Sequence, residues 1–584
     1  MTRPPYCGPL ARCRAGIVAA LLLLSTAAAA APVRVDISGL DGELLRNVRT
    51  YLSILGVDAD QLPPARLNYL HGRAEREIQR ALEPFGYYAV TVEGELHSDA
   101  DGTRARYRVT LGPRVTIARV ELRISGDGEQ DPAFRAAQLE PGIAVGEPLL
   151  HRRYERLKQR LQHIAAERGF YDAHLERQQL RIDRTQHRAE ILIHYATGTR
   201  YRYGELHFSD TPLSPTFIRR FVTLRPGDPL LTSELTLLQT RLANSDYFQR
   251  VEVRPRWSER AAPLVPIDVE LEMRKRTRYR AGVGYDTDTG GRLTAGITRR
   301  WVNRKGHNFD ALLQPGEFRT DASFQYNIPG GRPEYEQYSL RAAYRREQVD
   351  PIDAETLASG GSWQTRVGDW VQVIGLDIER ENFDFEEQRQ TSRFLFPRIG
   401  WRRTDADHRI NVSRGYRVNL ELLGASDAWY SDTSFVQGRL ELKGVLSPTP
   451  GWRLLGRAEL GGTVIEQAEQ LPASKRFFAG GDKSVRGYAY KSLAPLNSSG
   501  NVEGGQGLIV AGLETDYRVA ENWRAALFVD HGAAINSLTS TLKTGVGVGA
   551  RWLSPIGPVR IDLAWALDRE GTPWRLHFSI GPDL

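Results

Sequence analysis

From Tyr279 to the C-terminus, apolar residues recur at every second position. Tyr279, Ala281, Val283 and Tyr285 alternate with Arg280, Gly282 and Gly284. Val559, Ile561, Leu563, Trp565 and Leu567 alternate with Arg560, Asp562, Ala564, Ala566 and Asp568. Trp574, Leu576, Phe578 and Ile580 alternate with Arg575, His577 and Ser579. Period two is the side-chain repeat of a β-strand. One face suits lipid and the other a wet, charged lumen, the pattern of a transmembrane barrel strand. A water-soluble sandwich also alternates, but its core face would not carry Arg, Asp and Glu so regularly. About 310 residues, at ~10 per strand plus turns and loops, allow roughly 14 to 18 strands, an even number, and sixteen is the expected count. Trp301, Trp370, Trp401, Trp552 and Trp574 fall near expected strand ends, as interfacial girdles do. Polar or Gly/Pro-rich stretches at 347–362 and 466–506 are expected to be extracellular loops.

The first third follows a helical period and repeats itself. Glu77-Ile78-Gln79-Arg80-Ala81-Leu82 leads into Phe85-Gly86-Tyr87-Tyr88, and Leu157-Lys158-Gln159-Arg160-Leu161 into Arg168-Gly169-Phe170-Tyr171. Leu238-Gln239-Thr240-Arg241-Leu242 leads into Asp246-Tyr247-Phe248. Such spacing marks a repeated structural unit. Each reads strand, short helix, longer helix, strand, strand. In the second copy these are 116–125, 131–138, 148–167, 171–183 and 188–196, with Leu157, Leu161 and Ile164 as the apolar stripe of the long helix. Two helices on one face of a three-stranded sheet leave an edge strand open, either to accept an extended segment of another protein or as part of an inert spacer.

The start of the chain supplies an address. Arg3, Arg12 and Arg14 precede the apolar run Ala15–Leu24 and the small residues Ala28-Ala29-Ala30, a secretory signal peptide over residues 1–30. Both cysteines, Cys7 and Cys13, fall inside it, so stability beyond it cannot rest on disulfides. The formal charge of +7 falls to +4 without those three arginines and is spread along the chain, with no polybasic block of the kind that tracks nucleic acid. After residue 31 no apolar stretch approaches the ~18 residues of a spanning helix, so a membrane would have to be crossed by a closed barrel.

Within 466–506 lies Arg476-Phe477-Phe478-Ala479-Gly480-Gly481-Asp482-Lys483-Ser484-Val485-Arg486-Gly487-Tyr488. Glycines around a single arginine suggest a backbone bent to place a guanidinium, which needs a carboxylate once buried. The run Gly480–Tyr488 resembles the loop-six motif of the POTRA-plus-barrel bacterial surface antigen superfamily, whose members include BamA, TamA and the two-partner secretion transporters. Phe528-Val529-Asp530-His531-Gly532 is similar to that family's F-x-D-x-G strand motif. Gly545–Gly549 through Ser554–Arg560 is similar to its penultimate hairpin, and residues 33–274 resemble POTRA domains.

The fold class implied is multidomain, with three small α+β POTRA domains (31–114, 115–198 and 199–275) followed by a 16-stranded antiparallel transmembrane β-barrel (276–584). The resemblance implies that the loop enters the lumen and that Arg486 pairs with Asp530. Gly480, Gly481, Val485, Gly487 and Tyr488 would shape the loop, and Phe528 and Gly532 complete the strand motif. Alternation independently places Asp530 on the same face as Arg524. His531 stands where the family often has a small residue. In the family the first and last strands pair poorly, so the barrel can open sideways. Here those strands are about 278–287 and 574–581, with Trp574, Phe578 and Gly581 on the last. Gly581-Pro582 fits a weak seam, since Pro cannot donate to a ladder, and equally fits a simple chain end.

With three POTRA-like units before a barrel, the chain most resembles the TamA branch, the outer-membrane subunit of the translocation and assembly module. That implies assembly of autotransporters and other outer-membrane proteins, with unfolded clients, outer-membrane lipid and a TamB-like periplasm-spanning protein, bound through the POTRA array, as partners. Secretion of a partner exoprotein and a passive porin or receptor are the alternatives. No enzyme, cofactor or metal is expected. Gly545-Val546-Gly547-Val548-Gly549 lacks the helix and Lys-Ser/Thr of a phosphate loop, and neither a zinc spacing of His and Cys nor a Gly-x-Ser-x-Gly elbow occurs.

Overall fold

The computed structural model describes residues 33–57, 62–99, 102–261, 263–349, 352–385, 388–408, 411–467, 470–498, 500–554 and 557–580. The expected signal peptide and Gly581 lie outside these residues.

Three sheets of three strands fill the N-terminal part. The first holds β1 (Arg34–Ser38), α1 (Gly42–Tyr51), α2 (Pro64–Leu82), β2 (Thr91–Asp99) and β3 (Gly102–Thr110). Its central strand β3 pairs parallel with β1 and antiparallel with β2. Pro64 opens α2, where its missing N–H costs nothing, and Leu67, Leu70, Ala74, Ile78 and Ala81 form the stripe that α2 buries against the sheet. The second unit repeats the order with β4 (Thr116–Ser125), α3 (Pro132–Leu139), α4 (His151–Glu167), β5 (His174–Asp183) and β6 (Arg188–Ala196). Leu157 and Leu161 of α4 are buried as expected, joined by Tyr154 and Ala165. Asp131 caps α3 by accepting from Ala133 N–H at 2.9 Å, and its carboxylate is held by Arg168 at 2.8 Å.

The first two units meet through Tyr88, whose hydroxyl lies 2.6 Å from His151 Nε2. Arg184 stacks over the Tyr88 ring at 5.6 Å and pairs with Glu83 at 3.3 Å. The third unit comprises β7 (Arg202–Phe208), α5 (Pro215–Ile218), α6 (Thr232–Asn244), β8 (Phe248–Pro255) and β9 (Leu264–Met273).

One antiparallel sheet of sixteen strands follows, in sequence order from β10 (Thr277–Asp286) and β11 (Gly290–Arg299) to β24 (Gly557–Ala566) and β25 (Trp574–Ile580). Alternation sorts its side chains as expected. Tyr279, Val283, Leu340, Leu513 and Leu576 point outward and are exposed, whereas Asp377, Glu381, Asp516, Asp530 and Asp562 are buried on the inner face. The third N-terminal unit seats on the near-end turns of this barrel. Tyr247 Oη–H donates to Gly306 O at 2.5 Å, Ser214 N–H donates to Arg304 O at 2.8 Å, and Arg241 pairs with Glu334 at 3.2 Å.

Two expectations are corrected. The stretch 347–362 is not a long loop: β14 (Gln337–Val349) and β15 (Ile352–Val367) pair continuously to Val349↔Ile352. Strands of 13 and 16 residues exceed the ~9–11 that a bilayer requires. Their far halves are therefore wet on both faces and lose the apolar alternation. Trp301 is buried in the turn before β12 (Asn308–Gln314) rather than set in a girdle, because the third unit covers that turn, and Trp401 lies inside β17 (Gln388–Ala406). The 466–506 loop does join β20 (Trp452–Ile465) to β21 (Gly507–Ala520).

Burial lowers the His151 pKa below 6.5 and drives that of the Tyr88 hydroxyl up. The folded junction therefore favours the neutral imidazole, and the unfolded chain takes up the proton first as pH falls. Its stabilisation is expected in full above pH 6.5 and to be lost as pH drops through the folded pKa. Hydrogen-exchange protection of Val115, whose N–H donates across this junction to Gly86 O at 2.9 Å, should fall between about pH 7.5 and about pH 5, and His151→Gln should flatten that dependence.

Candidate functional site

The 466–506 loop turns back into the barrel. Ala479 pairs with Leu493, and Phe477 with Gly505, so two limbs of the loop form a narrow ribbon. Gly487 adopts φ +94°, a region that a side chain would strain, and a Cβ there would stand 3.0 Å from the Trp565 backbone. Val485 and Tyr488 are fully buried with Ala479, Leu508, Val510 and Ala566. Tyr488 Oη–H donates to Thr544 O at 3.2 Å and accepts from Asp568 N–H at 3.3 Å.

This bend delivers Arg486, 5 % exposed, to Asp530, 0 % exposed. Arg486 Nε donates to Asp530 Oδ2 at 2.6 Å and a terminal nitrogen to Oδ1 at 3.1 Å, a bidentate pair. The Arg486 backbone N–H donates to the same carboxylate at 3.2 Å. The other terminal nitrogen reaches Glu514 at 2.8 Å and Asp562 at 3.1 Å. The guanidinium carbon stands 3.4 Å from the centroid of Phe528, which caps it from below.

Arg551 holds Glu514 and Asp562 from the other side, at 2.9 and 2.6 Å, and Arg457 holds Asp530 at 2.8 Å. Arg486, Arg551 and Arg457 thus pair with the three carboxylates, and Arg560 stands close to Glu514 and Asp562. Room for the loop comes from the inner glycines: a Cβ on Gly545 would overlap Arg486 O, and one on Gly547 the Phe528 ring.

A second contact joins the loop to both ends of the sheet. Asp482 N–H donates to Asp288 Oδ2 at 2.6 Å, in the turn after β10. Its own carboxylate is hydrogen-bonded to His577 Nδ1 on β25. Gly487 N–H donates to His577 Nε2 at 2.9 Å, which makes Nε2 the acceptor and Nδ1 the protonated nitrogen. Asp288, Asp482 and His577 offer ligand atoms within 4.8 Å of one another. The imidazole nitrogen facing the carboxylates already carries a proton, so the triad is a hydrogen-bond relay rather than a metal-ligating set.

Between β10 and β25 no backbone ladder exists among the described residues. Phe578 N–H donates instead to Thr287 Oγ1 at 2.8 Å, and the Phe578 and Tyr285 rings lie 6.2 Å apart.

The structure therefore brings Gly480, Gly481, Val485, Arg486, Gly487, Tyr488, Phe528 and Asp530 together. Gly532 packs against Val510 on the same strand face, Trp574 and Phe578 lie on β25, and Gly581 is outside the described residues. His531 points away and reaches Thr544 at 3.1 Å, so it does not touch the latch. Glu514, Arg551, Asp562, Asp482, Asp288 and His577 were not singled out in the sequence. The inward phase of their strands marks Asp562 and His577, but nothing local names their partners.

Residues 272–583, more than half of the chain, match the Omp85 superfamily domain. The chain belongs to the Omp85 superfamily. Residues 34–111 match the POTRA domain described as TamA domain 1. The outer membrane protein assembly factor BamA of Nitratidesulfovibrio vulgaris is 25 % identical over 399 residues, 62 % of this chain and 49 % of that protein. BamA of Neisseria meningitidis serogroup B is 20 % identical over 585 residues, 85 % of this chain and 70 % of that one. The chain thus spans about half the length of the first of these relatives. The crystal structure of BamA from Haemophilus ducreyi lacking POTRA domains 1–3 superposes with TM-score 0.67 at 18 % identity, covering 80 % of this chain and 99 % of that one. This Omp85 chain is an outer-membrane β-barrel with POTRA domains on the periplasmic side.

Arg486→Ala removes the bidentate partner of buried Asp530 and a cation that Glu514 and Asp562 share, and should cost about 3–5 kcal/mol. The fraction of heat-modifiable barrel on gels should fall, while limited proteolysis still finds the POTRA units folded. Asp482→Ala removes the link between β25 and the β10 turn, worth about 1–3 kcal/mol. Amide exchange at 574–580 should speed up while exchange at 528–532 stays unchanged.

Proposed function

We propose that this protein is an outer-membrane protein assembly factor of the TamA branch, which inserts or translocates autotransporters and other β-barrel clients. The observation that carries the reading is the seam. Fifteen strand pairings in the sheet have ladders, whereas among the described residues β10 and β25 are held by one side-chain hydrogen bond, a ring contact and the Asp482 relay. Parting these strands exposes two edges with unpaired N–H and C=O groups, a template onto which an incoming hairpin can pair. The work is binding and release within lipid, with no catalytic residue.

The TamA-type first POTRA domain supports the TamA branch over the BamA relatives and makes a TamB-like periplasm-spanning protein the partner of the POTRA array. A passive pore is disfavoured because the 466–506 loop is latched across the lumen.

Tyr285→Cys with Phe578→Cys tests the seam, since no cysteine occurs after Cys13. The oxidised protein should lose insertion of an autotransporter into proteoliposomes and regain it on reduction. Full insertion by the oxidised form would defeat the proposal.

A further inference from the structure

The space over the inner glycines Gly545 and Gly547 is filled by the protein itself. Two outer glycines are different. On β18 (Gly415–Ala425), β19 (Phe435–Thr449) and β20, Tyr416 lies directly opposite Gly444, and Gly444 directly opposite Gly456. Gly456 is in turn opposite Leu513 of β21. These four stand in the outward phase of their strands, with exposed Leu442, Leu446 and Leu454. Neither glycine is imposed by the fold. Neither has a left-handed φ, and a Cβ would come no closer than 4.0 Å to its neighbours at Gly444 and 3.7 Å at Gly456. A glycine inside a strand weakens it, and often marks a place where a ligand or another backbone comes close. Among the described residues, nothing in this chain does so here.

The pair floors an outer groove of 1020 Å³. Val418 and Leu442 bound it on the extracellular side, Leu446 and Leu454 on the periplasmic side, and Leu513 and Leu527 along one flank. Arg417, Lys443, Arg457 and Glu514 border it as well, but strand alternation turns their side chains into the lumen. There Lys443 and Arg457 line an inner cavity, and Glu514 binds Arg486 and Arg551. The groove lies in the periplasmic half of the wall, because the β19–β20 turn is on the same end of the sheet as the β11–β12 turn that the third unit covers. Nearer that end, Trp452 and Tyr517 pack edge to face at 5.4 Å, an interfacial aromatic pair. Arg403 of β17 stacks over Tyr416 at 5.6 Å and pairs with Asp369 at 2.9 Å, which marks the level where charge returns to the outer surface.

We propose that this groove is a specific site for an acyl chain of a phospholipid in the periplasmic leaflet. Continuity with the lipid-facing wall decides the occupant. The surface around the groove already meets hydrocarbon, its side chains offer water no set of polar partners, and a protein partner would first have to displace lipid. A chain lying over Gly444 and Gly456 touches the floor and both flanks, so it gains dispersion contacts that a smooth wall does not offer. The lipid would then be held at one place on the barrel rather than exchanging freely around it. The site stands apart from the assembly reading, since it requires only the barrel in its membrane.

The test uses the purified full chain in maltoside detergent, stripped of lipid and titrated with palmitoyl-oleoyl-phosphatidylethanolamine, with adducts read by native mass spectrometry. A saturable one-to-one adduct is expected. Its half-saturation should rise about tenfold or more in Gly444→Leu with Gly456→Leu, which fills the groove. Gly462→Leu, at an outward glycine beyond the groove with open space around it, should leave the titration unchanged. Heat-modifiability checks that the double variant is folded, and Gly456→Leu alone serves if it is not. The proposal is overturned by no saturable adduct, by an unchanged titration in the groove variants, or by an equal loss in Gly462→Leu. A dimer of the chain that forms in place of the lipid adduct and disappears in the groove variants also overturns it, and assigns the groove to a second copy.

Discussion

A guanidinium taken out of water is the constraint from which the architecture of this barrel follows. Arg486 is nearly inaccessible, and a buried charge is tolerable only when paired and fully hydrogen-bonded. Its partners come from three strands: Glu514 from β21, Asp530 from β22 (Trp523–Ile535) and Asp562 from β24. The inner wall there must be stripped to glycine, so that the loop backbone can approach the sheet at Gly545 and the Phe528 ring can lie over Gly547. The need for close approach explains Gly545-Val546-Gly547-Val548-Gly549 without any nucleotide. The valines keep the outer face greasy while the glycines clear the inner one.

How far this was readable beforehand depended on whether a contact was local. Asp530 could be placed from the phase of its own strand and from the motif that contains it. Asp562 and His577 were visibly inward-facing, but pairing across a lumen joins residues far apart in sequence, and strand phase says nothing about which inward charges meet. Asp482 was harder still. It reads as an ordinary charged turn, and becomes a joint only because the β10–β11 turn is short enough to bring Asp288 beside it.

The misread 347–362 stretch has a related cause. The alternation rule holds only where one side of a strand meets lipid. β14, β15 and β16 (Trp370–Phe385) continue past that band, and with water on both faces their polar residues look like loop. Conversely, the helix–strand repeat of the N-terminal units was legible almost residue by residue. Each unit buries its own stripe, and a 3.6-residue period is a local property. Third-unit contacts with the barrel turns were invisible for the opposite reason: Gly306 meets the Phe217 ring only after both parts have folded.

The loop's two attachments differ in strength and in what they hold, and this division sets what the barrel can do. Arg486 engages β21, β22 and β24 through charge-assisted bonds, each roughly twice as strong as a neutral one. The seam has the Thr287 bond and the Asp482 relay, bonds whose net worth is about 0.5–1.5 kcal/mol each, rising to about 1.5–3 where a carboxylate takes part. Strand β25 is 7 residues long, against 14 for β21, so little ladder resists its movement on the other side. Opening must break the Asp288 link. It need not disturb Arg486, because among the described residues no side-chain partner of that arginine lies on β10 or β25. The loop can therefore remain anchored to the C-terminal wall while the first hairpin swings away, which confines the energetic cost of opening to the few bonds at the seam.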